Sequence, residues 1–167
     1  KDYDRARSML KTAIEISPTN DFAFMRLGVV AYSAGEREQA ISYLNTAINL
    51  NPKSKWAFLW LGVISSESKK FDTVTTLKWF TKALEVDPRF DLAHYNIAWN
   101  YLRQKPRNYV KAEKSFRKAL ALNPDYKEAF YGLAMTYGYQ NKYKIAHSYL
   151  SRAIEVDPLF LTAWKWR

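Results

Sequence analysis

Apolar and small residues recur along the chain in groups that have the spacing of an α-helix. Five residues ahead of each of five prolines stands an alanine, three residues before that alanine stands Leu or Phe, and four before that stands Ala or Thr. The alanines are Ala13, Ala47, Ala83, Ala119 and Ala153. Spacings of three and four put side chains on one face of a helix. The pattern therefore predicts five helices, each ending just before a proline.

A second helical stripe follows each proline. Its sixth residue is aromatic or histidine, at Phe24, Phe58, His94, Phe130 and Trp164. In the first four stripes, Leu or Ile comes three residues later and is followed directly by Gly or Ala. The small residue allows a neighbouring helix to approach closely. The chain is therefore predicted to alternate between two kinds of helix.

The two stripes together predict ten helices. Their approximate bounds are Tyr3–Ile16, Phe22–Ala34, Glu38–Leu50, Lys55–Ser66, Thr73–Val86, Leu92–Arg103, Tyr109–Leu122, Lys127–Gln140, Tyr143–Val156 and Leu161 onward.

The prolines stand at positions 18, 52, 88, 124 and 158, at intervals of 34, 36, 36 and 34 residues. A period of this size is typical of stacked helix-turn-helix units. Each proline disfavours helical geometry in the residue before it and so ends the second helix. The longer repeats are predicted to hold their two extra residues between helices, near Ser65 to Phe71 and near Gln104 to Asn108, where Pro106 fits. Thr19-Asn20 and Lys53-Ser54 offer oxygens that could cap the next helices.

These residues resemble the tetratricopeptide repeat pattern, in which an aromatic residue is followed by Leu-Gly, Tyr, Ala, Phe and a closing Pro at fixed spacings. The resemblance covers essentially the whole chain, although Ala31 and Ser65 occupy the tyrosine slot that Tyr101 and Tyr137 fill in later repeats. It implies an all-α fold, a right-handed superhelical solenoid of antiparallel helix pairs. Residues 1–167 would form one array: a second helix at 1–18, full repeats at 19–52, 53–88, 89–124 and 125–158, and the start of another at 159–167.

The predicted array begins in a second helix and stops in a first one, so we expect it to be a piece of a longer protein. Terminal repeats normally carry a polar outer face, and neither end shows one. End-to-end stacking of copies, and hence a structural or self-assembly module, is therefore an alternative function.

First helices carry a further stripe that lies away from their packing face and is unusually apolar. It comprises Phe22, Met25, Arg26, Val29, Trp56, Leu59, Trp60, Val63, Leu92, Tyr95, Asn96, Trp99, Tyr131, Met135 and Tyr139, with Glu128 and Gly132 at equivalent positions. In proteins that the sequence resembles, these positions line a concave wall that receives a partner's peptide or helix. We therefore predict a scaffold or adaptor with an aromatic groove, anchored by Trp56, Trp60, Trp99 and Tyr131. The alternative is that the rings fill the seams between repeats.

One variety of the family grips a chaperone's terminal carboxylate with Lys, Asn and Arg at these positions. Of those residues only Asn96 is matched here, so an apolar or aromatic segment is the better expectation for the partner.

The charge of the chain is +10, from 26 Lys and Arg against 16 Asp and Glu. The third repeat concentrates basic residues in a basic patch of Arg103, Lys105, Arg107, Lys111, Lys114, Arg117 and Lys118. A solvated face is the ordinary explanation. The alternative is a surface for an acidic protein, an anionic membrane or nucleic acid, but no recognised nucleic-acid module is present.

Little in the sequence suggests catalysis, and we expect no enzyme, metal or cofactor. There is no cysteine, and His94 and His147 are the only histidines. His94 occupies the aromatic packing slot, and no phosphate loop or nucleophile elbow is present. No apolar run is long enough to span a membrane, so we expect a soluble chain. The compartment stays open, with the cytoplasm favoured over the periplasm.

Overall fold

The computed structural model describes residues 2–68 and 72–166, and every regular element in that part of the chain is an α-helix. The helices are α1 Tyr3–Ile16, α2 Asp21–Ser33, α3 Arg37–Leu50, α4 Lys55–Ser66, α5 Thr73–Val86, α6 Asp91–Arg103, α7 Tyr109–Leu122, α8 Lys127–Gly138, α9 Tyr143–Val156 and α10 Leu161–Trp166. The prediction of an all-α fold with alternating helices is confirmed, with bounds that agree to within one or two residues.

The chain divides into two compact units, residues 1–88 and residues 89–167. In the first unit α2 packs on α3 and α4 packs on α5, while α1 lies against α2. In the second unit α6 packs on α7 and α8 on α9, and α10 lies against α9. Each unit therefore consists of helix pairs, and that the two form one continuous array stays a prediction.

The recurring spacing of small and large residues explains how each pair closes. Ala47, Ala83, Ala119 and Ala153 are all fully buried, as are the large side chains Leu44, Phe80 and Phe116. A methyl group at the alanine position lets the first helix of the pair lie close to the second, while the large residue fills the space between them. The second-helix residues at the positions that the pattern marks are thus buried, and they pack against a larger set of buried residues from the first helices.

The residue before each proline has extended backbone, as predicted. Ser17, Asn51, Asp87, Asn123 and Asp157 all follow a second helix with φ between −135° and −139°. Helical geometry there would bring the residue into contact with the proline ring. The repeat boundaries of the chain are therefore fixed by local sterics.

The predicted helix caps are only partly right. Asn20 Oδ1 accepts a hydrogen bond from the amide of Ala23 at 3.0 Å and caps α2. Ser54, at the same place before α4, makes no side-chain cap bond, so that prediction is wrong. The segment 104–108 between α6 and α7 does hold extra residues. The corresponding prediction for Ser65 to Phe71 lies partly outside the described residues.

A hydrogen bond joins the start of each helix pair to its end. In the first unit Asn51 Nδ2 donates to Asp21 Oδ2 at 2.9 Å, and Lys55 Nζ donates to Asp87 Oδ2 at 2.6 Å. In each case the first residue of the first helix meets the residue that ends the second helix. The first pair uses Asp with Asn, and the second uses Lys with Asp.

The second unit repeats that order. Asn123 Nδ2 donates to Asp91 Oδ2 at 3.1 Å, and Lys127 Nζ donates to Asp157 Oδ2 at 2.5 Å. The chemistry of the bond therefore recurs every second repeat. The bonding residues therefore repeat with a period of two repeats, whereas the apolar stripes repeat about every 35 residues.

Candidate functional site

In the first unit, the predicted stripe places two large aromatic side chains at the surface. Phe22 is 61% exposed and Trp56 is 40% exposed. Both border a cleft of about 420 Å³ whose rim also carries Lys53 and Asp21. Arg26 is exposed beside them, and Val29 is half-buried. This side of α2 and α4 therefore offers apolar rings next to charged groups.

Two predicted groove residues of the first unit are almost wholly buried. Met25 and Leu59 are only 5% and 4% exposed, and Met25 packs in a core cluster with Leu44 and Leu61. Met25 nevertheless borders the cleft beside Phe22 and Trp56, whereas the prediction that Leu59 lines an open surface is wrong. The physical reason is that this stripe of a first helix also faces a neighbouring helix, and these two side chains fill that seam.

Trp60 and Val63 take an intermediate position. Both are half-buried, and the Trp60 ring lies 5.7 Å from the ring of Tyr32. The Tyr32 hydroxyl donates to the Glu67 carboxylate. Burial, followed by this hydrogen bond, raises the pKa of Tyr32 to about 12, so the hydroxyl keeps its proton at physiological pH. Trp60 is thus held by a ring that is itself anchored.

In the second unit the predicted residues form a chain of touching rings. Tyr95 lies 6.3 Å from Trp99, and Trp99 lies 6.3 Å from Tyr131. Two rings that the sequence analysis missed extend the chain: Tyr126, 4.9 Å from Tyr95, and Phe160, 6.1 Å from Tyr131. Both stand two residues after a repeat-closing proline, a recurrence that could have revealed them.

Of these rings, Trp99 and Tyr131 border a cleft of about 640 Å³ in the second unit, which we call the aromatic cleft, while Tyr95, Tyr126 and Phe160 lie outside its lining. Four predicted residues line it: Trp99, Tyr131, Met135 and Tyr139. The opposite wall, which was not predicted, is supplied by α9 through Ala146, His147 and Leu150. It was missed because second helices were assigned wholly to core and outer face.

The aromatic cleft has a largely uncharged lining. Burial raises the pKa of Tyr95 and of Tyr131 above the ordinary value for a phenol, so both hydroxyls are protonated at neutral pH. Next to the lining, the Arg107 guanidinium lies 4.4 Å from the centre of the Tyr139 ring. The cleft therefore combines an apolar interior with one cation at its edge.

The remaining predicted groove residues of the second unit are less accessible to a partner. The Asn96 side chain donates to the carbonyl oxygen of Leu92 at 2.7 Å within its own helix, and both residues are half-buried. Gly132 is buried, because its Cα lies against the Phe116 ring, which corrects its placement on an outer stripe. The structure thus brings Trp99, Tyr131, Met135 and Tyr139 together and leaves Leu92 and Asn96 apart from the cleft lining.

All seven residues of the basic patch are exposed, but they do not act as one cluster. Arg117 Nε donates to Glu113 at 2.8 Å, and its Nη2 donates to the Tyr149 hydroxyl at 3.0 Å. Hydrogen bonding raises the pKa of Arg117, with Glu113 as the largest cause. Lys111 lies over the Tyr101 ring at 5.5 Å. Arg107 lies over the ring of Tyr139, a residue of the aromatic cleft.

In the described ranges, the side chains of His, Asp and Glu nowhere gather in a group of three that could hold a metal ion. Among these residues there is also no helix with the length and apolarity needed to cross a membrane. His94 is 8% exposed, as expected for a residue in the aromatic packing slot.

Comparison with models of known protein families identifies the family of this helix-pair architecture. Two family models, both described as tetratricopeptide repeat, match residues 1–59 and residues 131–167. The chain belongs to the tetratricopeptide repeat family. None of the curated proteins matches the sequence.

Solved structures of tetratricopeptide repeat proteins share the fold over nearly all of the chain. The type IV pilus biogenesis factor PilW has a TM-score of 0.84 at 21% identity, covering 99% of this chain and 77% of its own. TTC0263 from Thermus thermophilus, a thermophilic TPR protein, has a TM-score of 0.82 at 22% identity, covering 98% of this chain and 88% of its own.

A third similar structure is YrrB, described as a TPR protein with an unusual peptide-binding site. Its TM-score is 0.71 at 19% identity, and the match covers 98% of this chain and 82% of YrrB. At these identities the three similarities establish the tetratricopeptide fold of the chain.

Proposed function

We propose that the chain is a protein-protein interaction scaffold that holds an apolar or aromatic segment of a partner in the aromatic cleft. Membership of the tetratricopeptide repeat family supports the general role of a scaffold. The observation that carries the specific role is the aromatic cleft itself, about 640 Å³ in volume and bordered by Trp99, Tyr131 and Met135. Pockets of several hundred Å³ that are mainly apolar are the usual form of a ligand site.

The chemistry of the cleft favours a partner side chain that is large and uncharged. Trp and Tyr rings give much contact area for little loss of conformational freedom, and such residues carry most of the binding energy at protein interfaces. The protonated hydroxyl of Tyr131 adds a hydrogen-bond donor without a charge. Arg107 over the Tyr139 ring would meet an acidic group or a carbonyl beside the inserted side chain.

A peptide library displayed on phage tests this proposal directly. Selection on the wild-type chain should enrich peptides with Trp, Phe, Tyr or Leu, and their binding should persist at high salt, because burial of apolar surface is little affected by screening. Met135→Glu should abolish binding by placing a charge in the cleft. Lys144→Glu, an exposed substitution on α9 outside the cleft lining, is the control.

Circular dichroism of both variants establishes that each is folded. Enriched peptides that bind the folded Met135→Glu variant as tightly as the wild type would contradict the proposal, as would selection of acidic peptides alone.

A further inference from the structure

One face of α7 carries exposed cations between two small apolar side chains, and none of it lines the aromatic cleft. The face, which we call the α7 face, borders a shallow cleft of about 510 Å³ and comprises Val110, Glu113, Lys114, Arg117, Lys118 and Ala121. Val110 is 78% exposed. At 1.5 Å per residue the face is about 16 Å long. The face therefore presents an apolar side chain at each end, with three cations and one carboxylate between them.

The cations of the α7 face differ in how far they are already neutralised. Arg117 is held by Glu113 at 2.8 Å. Burial acts to raise the pKa of Glu113, but hydrogen bonds from Tyr137 and Arg117 outweigh it and lower this pKa. The pair of Glu113 with Arg117 therefore stays charged. Lys114 and Lys118 are exposed and take part in no ion pair within the ranges that the structure describes. Two lysines four residues apart on one helix are thus available to an outside partner.

The charge around these lysines is strongly positive. Residues 89–167 contain 14 Lys and Arg against six Asp and Glu, a balance of +8, whereas residues 1–88 contain 12 against ten, a balance of +2. A field of this sign raises the local concentration of acidic partners and accelerates their encounter. The second unit accounts for most of the chain's attraction for anions.

The surroundings of the α7 face favour an acidic protein segment over nucleic acid. Single-stranded nucleic acid binds through bases that stack on open aromatic rings. The rings near this face already have cations over them: Lys111 over Tyr101 at 5.5 Å and Arg117 over Tyr149 at 6.0 Å. Tyr149 also stacks on Tyr137 at 5.7 Å. These rings are therefore engaged within the protein.

A bilayer surface fits less well for a different reason. Helices that lie on membranes insert a broad apolar face rich in Trp, Phe or Leu beneath their basic residues. On the α7 face the apolar residues are one valine and one alanine at opposite ends, which is too little apolar surface for insertion into a bilayer.

We infer that the α7 face docks an acidic helical segment of a partner protein, with two carboxylates on Lys114 and Lys118 and one apolar side chain against Val110. Lys114 and Lys118 are separated by four residues, or about 6 Å along the helix axis. Acidic residues four apart on a partner helix have the same separation, so both pairs can form at once. Each exposed ion pair contributes little binding free energy by itself. The apolar contact adds to the contribution of the two ion pairs.

The test uses the full chain and two synthetic helical peptides. One has Glu residues four apart on one face with Leu beside them, and the other has Gln in place of each Glu. Fluorescence anisotropy should show that the Glu peptide binds and the Gln peptide does not. Lys114→Glu with Lys118→Glu should weaken binding about tenfold or more, because attraction becomes repulsion at two positions. High salt should weaken it comparably.

Two further variants separate a docking site from the general positive field. Lys78→Glu with Lys144→Glu makes the same change in net charge at exposed positions elsewhere and should lower affinity much less. Val110→Ser leaves the charge unchanged and should weaken binding severalfold. Equal losses in the two double variants, or unchanged binding by Val110→Ser, would overturn the inference.

Alternative ligands give a clear result in the same assay. Stronger binding of the chain to vesicles containing phosphatidylserine, or to single-stranded oligonucleotide, than to the Glu peptide would overturn the assignment to a protein partner. Because the α7 face and the aromatic cleft share no residue, failure of this test leaves the proposal for the cleft standing.

Discussion

Gly132 shows how a single residue position can be decided by a neighbour that is distant in sequence. A Cβ atom at this position would stand 2.3 Å from two ring atoms of Phe116. Phe116 is fully buried and is held edge-on by Tyr95 and Trp99 at 5.9 and 5.6 Å, so its ring cannot move aside easily. The close approach of α8 to α7 therefore requires a residue without a side chain.

Gly132→Ala should destabilise the fold. Overpacking of a filled site costs about 1–3 kcal/mol, and the better helix propensity of alanine returns about 0.5–1 kcal/mol. We expect a net loss of about 1–2 kcal/mol in the free energy of unfolding, measured with urea. Gly138→Ala, where an added methyl group would meet nothing within 4 Å, should be neutral or slightly stabilising. Equal effects of the two substitutions would contradict this account.

Residue positions also show where prediction from the sequence was limited. The pattern correctly identified slots such as Ala119 and Phe116, because spacing along one helix determines which face is buried. The pattern misplaced Leu59 and Gly132, because the outer stripe of a first helix is shared between solvent and the adjoining repeat. How that stripe divides depends on side-chain sizes across the seam, which spacing alone does not determine.

The ion pair of Lys127 with Asp157 makes stability depend on pH in a defined direction. The hydrogen bond from Lys127, followed by one from the Leu159 amide, lowers the pKa of Asp157. The contribution to stability is therefore present above the unfolded pKa of about 3.9 and is lost as pH falls through the lowered folded value.

Lys127→Met should reduce the acid sensitivity of the fold. Between mildly and strongly acidic pH, the melting temperature of this variant should fall less than that of the wild type. The reason is that Asp157 in the variant lacks its main stabilising partner at both pH values. Lys144→Met, which removes an exposed charge of the same sign, should retain the full acid dependence. The idea fails if the two variants show the same profile in thermal melts followed by circular dichroism.

At the scale of elements, helix ends differ in how they are capped. Asn108 Oδ1 accepts a hydrogen bond from the Lys111 amide at 3.0 Å at the start of α7, whereas Ser54 makes no such bond at the start of α4. Both residues are good caps by type. Sequence therefore predicted where helices begin but not which side chain completes the cap, since that depends on a side-chain rotamer.

Replacing each cap residue by alanine should separate the two cases. Asn108→Ala leaves the Lys111 amide without its partner and should cost about 1 kcal/mol of unfolding free energy. Ser54→Ala removes no hydrogen bond in the cap and should cost distinctly less. Chemical denaturation of the two variants is the measurement, and a larger loss for Ser54→Ala would show that the observed geometry does not govern stability.

At the scale of the whole molecule, stability should be unevenly distributed among the helices. Repeat proteins gain stability from contacts between neighbouring repeats, so the local stability varies along the array. In α1 no residue is buried, while α3 buries Ala40, Leu44 and Ala47 completely. Arg7 ties α1 to Glu36 through two hydrogen bonds of 2.9 Å, but this pair is exposed and contributes little.

Hydrogen exchange should report this gradient in the 167-residue chain. Amides of α1 should exchange markedly faster than those of α3, because α1 opens without disturbing a buried cluster. Mass spectrometry of peptides covering residues 3–16 and 37–50 makes the comparison. Similar protection of the two helices would indicate that the chain unfolds as one cooperative body.

The alternation between Asp–Asn and Lys–Asp bonds has a consequence for how the helices find their partners during folding. Neighbouring repeats are so similar in their apolar stripes that a first helix could mispair with the second helix of the next repeat. In such a swap Asp21 would face Asp87, which sets two carboxylates together, and Lys55 would meet the neutral amide of Asn51. Like charges in contact disfavour the wrong pairing, so the alternation protects the chain against a misassembly to which repeat proteins are prone.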